Sequence, residues 1–106
     1  MSLQEERSAQ RLADLFGALG HTRRVVIMSC LLEGEKSVGE LCGCERLQPN
    51  SQPNISQHLA TLRNAGLVKE RREGTRVFYR IASPHLRSLV KSGLLLTEEN
   101  RLLAAA

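Results

Sequence analysis

The run Ser51-Gln52-Pro53-Asn54-Ile55-Ser56-Gln57-His58-Leu59, followed by Leu62, Gly66 and Leu67-Val68, constrains the fold more than any other part of the chain. Ile55, Leu59 and Leu62 recur at the spacing of one buried helical stripe. The rest of that helix is crowded with Gln52, Asn54, Ser56, Gln57 and His58. Most of these are uncharged donor–acceptor side chains, where a merely solvated face would carry more Lys and Glu. Amides and hydroxyls match the base edges displayed in a DNA major groove.

The charge distribution suits that reading. The chain of 106 residues has a net charge of +4, yet residues 46–91 hold nine Lys/Arg against two Glu, between mildly acidic ends. A basic middle of this kind is the footprint of a polyanion-binding face. Length and 42% hydrophobic content predict one small domain over residues 1–106. With two Phe, one Tyr and no Trp, its core must be mostly aliphatic. No apolar run approaches the roughly 20 residues of a membrane span. Met1-Ser2-Leu3-Gln4-Glu5-Glu6-Arg7 lacks the basic start and apolar stretch of a signal peptide. A cytoplasmic location without a membrane partner is expected. Cys30, Cys42 and Cys44, an odd count, argue against a disulfide framework there.

The pattern along the chain predicts a first helix over 6–19, with Leu12, Leu15, Phe16 and Leu19 on one side, and a second over 22–33. Ser37 followed by Glu40 fits a capping box, so a third, short helix starts there. Ser51 is a good N-cap for the polar helix, and Pro53 is tolerated in its first turn. Residues 68–72 and 76–81 read as two strands around Glu73-Gly74-Thr75. Ser83-Pro84 starts the last helix, which continues or restarts at Thr97 towards Leu103. The expected fold is mainly α with a β-hairpin wing (α+β). Its helix-turn-helix spans about 37–66, its wing about 67–82 and its dimerisation helices about 6–19 and 84–103.

In this arrangement the polar helix enters a major groove about 12 Å wide. Gln52, Asn54, Ser56 and Gln57 are the candidate base readers, and amides at the Ser51 end hold a phosphate. The wing tip carries Arg71, Arg72, Thr75 and Arg76, whose contacts supply affinity more than sequence choice. His58 has two readings, a contact with DNA or packing against the third helix. Arg63 either touches backbone phosphate or is solvated. A specific double-stranded operator calls for two recognition helices, hence a homodimer. The surplus apolar residues Leu94-Leu95-Leu96 and Leu102-Leu103 are the expected interface.

Several segments together resemble the ArsR/SmtB family over about residues 12–90. They are Ala18-Leu19-Gly20-His21-Thr22-Arg23-Arg24, Leu31-Leu32-Glu33-Gly34-Glu35, Ser37-Val38-Gly39-Glu40-Leu41, the polar helix, Leu62-Arg63-Asn64-Ala65-Gly66-Leu67-Val68 and Arg72-Glu73-Gly74-Thr75-Arg76-Val77-Phe78-Tyr79-Arg80-Ile81. The resemblance implies a homodimeric winged helix-turn-helix repressor. It would leave its operator when a metal, metalloid or thiol-reactive signal binds, with no cofactor required.

Glu40-Leu41-Cys42-Gly43-Cys44-Glu45 resembles the cysteine motif of arsenite- and cadmium-responsive members. Counted from Thr22, however, Ser37 and Gly39 stand where that pair belongs, and Cys42 and Cys44 lie further on. They are the candidate metal ligands, for As(III) or a soft divalent metal, because thiolates suit soft ions. Residues at i and i+2 point to different sides of a helix, so convergence of the two sulfurs requires unwinding at Gly43. Cys30 is the candidate third thiolate, or else a small core hydrophobe. Other family sites match poorly. His85 alone fits the start of a zinc site on the last helix, with Ser83, Leu96 and Glu99 at other positions where ligands would stand. The two-cysteine pattern joining the second and last helices lacks its second cysteine.

Two other function classes are compatible with parts of the sequence. A repressor of the same fold could answer a non-metal or redox signal, or none. A thiol carrier using Cys42-Gly43-Cys44 lacks the spacing and strand context of a thioredoxin-like site. The chain has no nucleophile–base–acid set and no phosphate-cradling glycine loop, so an enzyme is not expected.

Overall fold

Reciprocal capping starts two of the helices. In the computed structural model, which describes residues 1–49 and 51–105, the Glu5 N–H donates to Ser2 Oγ and the Ser2 N–H to the Glu5 carboxylate. This box starts α1 (Leu3–Leu19) three residues before the hydrophobic pattern does. α2 (Thr22–Leu31) is capped by His21, whose Nδ1 accepts from the Arg23 N–H at 3.2 Å. It stops two residues earlier than expected, as the chain turns through Gly34 at φ 135°.

Lys36–Ser37 forms β1, a strand too short to leave a periodic signal. Ser37 and Glu40 then build the expected capping box of α3 (Val38–Cys42). A 3-10 turn over Glu45–Leu47 follows, within the segment that the sequence pattern marks only as connection.

α4 (Gln52–Asn64) begins as predicted, with the Asn54 N–H donating to Ser51 Oγ. Gly66 turns the chain at φ 78° into β2 (Val68–Glu73), which pairs antiparallel with β3 (Arg76–Ile81) from Val68↔Ile81 to Glu73↔Arg76. Gly74, at φ 61°, takes the first central position of the two-residue turn. β1 adds to the other side of β3, giving the order β1-β3-β2. α5 (Pro84–Ala105) is capped by Ser83, which accepts from the Leu86 N–H. It runs through Thr97 without restarting, and Thr97 Oγ1 donates back to the Leu94 carbonyl at 2.7 Å.

The core is aliphatic, as composition required. Ile27, Met28 and Leu31 of α2, Leu41 of α3, Leu47, and Ile55, Leu59 and Leu62 of α4 are all fully buried. The stripe of α4 therefore anchors the helix and its opposite face stays open. α1 contributes no buried residue. Leu12 and Phe16 are 47% and 50% exposed, and on α5 Leu94, Leu95 and Leu96 are exposed as well. Between these helices lies an apolar groove of about 270 Å³, lined by Phe16, Leu19, Val25, Met28, Leu89 and Leu94 among others. The side chains of Leu102 and Leu103, expected to extend this surface, lie outside the described residues.

Candidate nucleic-acid interface

Anchoring α4 by Ile55, Leu59 and Leu62 leaves Ser51, Gln52, Ser56 and Gln57 exposed along one side. Asn54 and His58, the other two polar residues of its first half, make contacts within the molecule. Asn54 is half-buried, and its Oδ1 accepts from Arg23 Nε at 3.1 Å. The same guanidinium donates to the Leu47 carbonyl, clamping the first turn of α4 to the start of α2. His58 is half-buried too, and its ring packs on that of His21. Their ring centroids are 4.5 Å apart. Burial, then the charges of His21, Arg24 and Arg23, holds the His58 imidazole below its ordinary range. Arg63, at the far end of α4, pairs with Glu70 of β2 at 3.0 Å. Glu70 also accepts from the Tyr79 hydroxyl, which leads the causes that keep its carboxyl ionised.

The wing divides its arginines between two tasks. Arg71 is held by Glu35 and Glu73 and lies over the Phe78 ring at 4.5 Å, so it fastens the hairpin to the segment before β1. Arg76 stacks on Phe78 as well, at 4.8 Å, with no carboxylate within 4 Å among the described residues. Arg72 reaches Glu70 only at 3.7 Å, and 71% of its side chain is exposed. Thr75 stands at the tip. Gln52 of α4 and Thr75 and Arg76 of the wing line one open groove of about 510 Å³, with Ser37 to Glu40 at its floor. A loose pair between the partially exposed Arg72 and Glu70 contributes little to stability and leaves the arginine exchangeable for a phosphate contact.

The thiols are arranged differently from the expectation. Cys42 is the last residue of α3 and is half-buried against the core. Cys44, the cap of the 3-10 turn, turns its sulfur to Cys30 of α2 instead, at 3.4 Å. Among the described residues no three His, Cys, Asp or Glu side chains gather as a metal-ligand set. Sequence spacing drew attention to Cys42 and Cys44 because they are neighbours in the chain, whereas contact was decided by how α2 packs on the connection. Arg46 was overlooked. It spans from the 3-10 turn to Ser29 of α2 and to Glu33 just beyond that helix, beside Cys44. Arg23 was also overlooked as a clamp, and nothing in the local pattern distinguishes it from its neighbour Arg24.

Comparison with known proteins agrees with this architecture. Residues 21–70 match the model of the bacterial regulatory protein arsR family. The chain is 40% identical over 92 residues to the transcriptional activator HlyU of Vibrio cholerae, covering 86% of this chain and 82% of that protein. It is 39% identical over 87 residues to the biofilm growth-associated repressor of Agrobacterium fabrum, covering 82% and 72%. The solution structure of the homodimeric winged helix-turn-helix DNA-binding domain of Mb0332 from Mycobacterium bovis superposes with a TM-score of 0.82 at 29% identity, over 94% of this chain and 90% of that one. No described helix is long and apolar enough to cross a membrane. A helix-turn-helix with a basic wing and an amide-rich face, in a chain so related, places this protein in the ArsR family of DNA-binding transcriptional regulators.

Proposed function

We propose that the protein is a cytoplasmic, homodimeric repressor that binds operator DNA through α4 and the wing, and that a thiol-reactive inducer releases it. It acts as a regulator and not as an enzyme. The observation that carries the DNA reading is the shared groove. Gln52 on the recognition helix and Thr75 and Arg76 on the wing face the same open space, so one duplex can meet base-reading and phosphate-holding groups together. Gln52, Ser56 and Gln57 read bases, and Arg72, Thr75 and Arg76 hold the backbone.

Dimerisation is supported by surface area. The chain exposes 7170 Å², whereas a compact monomer of its mass exposes about 5,900 Å². α1 and α5 expose Leu12, Phe16, Leu94, Leu95 and Leu96, and the excess is of the order of one side of a stable interface, about 800 Å² per partner.

The thiol reading rests on the contact between Cys30 and Cys44. Those two sulfurs would hold a soft ion such as As(III) as a two-thiolate pair, with a donor from outside the chain completing the shell. Such an ion would tie the connection before α4 to α2. The test is an operator titration with arsenite and a panel of soft divalent metals. Wild type should bind with strong salt dependence and be released by arsenite, and Cys30→Ala/Cys44→Ser should bind and not be released. Release of that double variant would remove the assigned inducer site. A dimer with no operator affinity would remove the repressor reading.

A further inference from the structure

Cys30 and Cys44 differ in access and surroundings, although their sulfurs touch at 3.4 Å across 14 positions of sequence. Cys30 is fully buried in α2, whereas Cys44 is partly open to solvent at the 3-10 turn. We propose that these two residues form a reversible disulfide on exposure to a hydroperoxide, with Cys44 attacking and Cys30 resolving, and that closure of the bond lowers operator affinity. The proposal deepens the thiol-signal reading above and rests on it. It differs from the two-cysteine pattern that joins the second and last helices, because α5 contains no cysteine.

The surroundings separate the two roles. Cys44 is partly open to solvent, so a hydroperoxide reaches its sulfur first. Cys30 is fully buried, and its sulfur meets the oxidised Cys44 across the 3.4 Å contact. In the first step the Cys44 thiolate attacks the terminal oxygen of the hydroperoxide. The O–O bond breaks and the alkoxide leaves, taking a proton to become the alcohol, or water when the oxidant is hydrogen peroxide. In the second step the Cys30 sulfur attacks the Cys44 sulfenic acid. The S–O bond breaks, and hydroxide leaves with the Cys30 proton as water. Two thiols lose two electrons to the peroxide, and one S–S bond forms.

A disulfide brings the sulfurs to about 2.0 Å, well inside their present contact. Cys30 stands in the packed core, so the adjustment falls on the Cys44 segment. That segment is tied to α4. The Gln48 side-chain amide donates to the carbonyls of Cys42 and Cys44, and Arg23 bridges the Leu47 carbonyl and Asn54. A shift at Cys44 therefore reaches the turn of α4 that carries Gln52. Two recognition helices must meet half-sites at a set separation, so a displacement of each costs affinity.

The test treats reduced wild type, Cys42→Ser, Cys44→Ser and Cys30→Ala with hydrogen peroxide. Mass spectrometry of alkylated digests reads the bond, and fluorescence anisotropy on operator DNA reads affinity before and after dithiothreitol. Wild type and Cys42→Ser should yield a Cys30–Cys44 linked peptide and lose about tenfold in affinity, a typical coupling between two sites, with recovery on reduction. Cys44→Ser, at a partly exposed position, and Cys30→Ala should lose no affinity on oxidation. A linked peptide that is missing, or that contains Cys42, would overturn the proposal, as would oxidised wild type with its reduced affinity intact. Failure of reduced wild type to bind the operator would instead overturn the repressor reading, since the linked peptide is measured without DNA.

Discussion

Arg23 donates from Nε to Oδ1 of Asn54 at 3.1 Å, across 31 positions of sequence, while its other arm holds the Leu47 carbonyl. One guanidinium thus joins the start of α2, the connection before the recognition helix and the first turn of that helix. The position of Gln52 in the DNA-facing groove depends on this clamp as much as on the buried stripe beneath it.

Arg23→Ala should remove two charge-assisted hydrogen bonds and lower stability by about 1–3 kcal/mol. It should also weaken operator binding, because Arg23 holds the first turn of α4 in place. Thermal unfolding and anisotropy check the two effects. Full stability with unchanged affinity would mean that the clamp positions nothing.

Gln52→Ala and Asn54→Ala should behave differently, although both residues are amides on one helix. Gln52 is exposed in the groove, so its loss should relax base preference by about 1–3 kcal/mol at one position. Asn54 already spends its oxygen on Arg23, so its loss should lower affinity across sequences alike. Arg72→Ala and Arg76→Ala should each also weaken binding evenly and reduce the salt slope by about one. Competition with single-base operator variants separates the two patterns, and unchanged discrimination in Gln52→Ala would remove that residue from base readout.

Charging the apolar groove should dissociate the dimer while leaving the fold standing. Phe16 and Leu94 are 50% and 38% exposed in the single chain, so Phe16→Glu or Leu94→Glu costs little core packing. Analytical ultracentrifugation should find monomer at concentrations where wild type is dimeric, and operator affinity should fall sharply. A dimer that survives both changes would place the interface elsewhere.

His58 should contribute a pH-dependent share of stability. Its folded pKa lies below the ordinary 6.5, chiefly through burial and then through His21, Arg24 and Arg23. The unfolded chain therefore takes up the proton first as pH falls, so this stability is complete above about pH 6.5 and is lost towards the folded pKa. Urea midpoints between pH 5 and 7 should fall with acidity in wild type and fall less in His58→Gln. Parallel curves would mean that another group sets the slope.

Local chemistry made most of the fold legible before any coordinates. Ser37, Ser51 and Ser83 cap helices because their hydroxyls meet amides three residues on. Ile55, Leu59 and Leu62 mark a buried stripe because a helix repeats about every 3.6 residues. Gly74 marks the hairpin because its turn needs positive φ. These are interactions between near neighbours, and residue type with spacing determines them. Long-range contacts had no such signature. β1 exists only because β3 is there to pair with it, and the contacts of Asn54 with Arg23 and of His58 with His21 join residues far apart in the chain. The sequence alone marked three cysteines and the helix they adjoin. The packing of α2 on the turn before α4 decided that the sulfurs in contact are those of Cys30 and Cys44, because contact follows distance in space rather than in sequence.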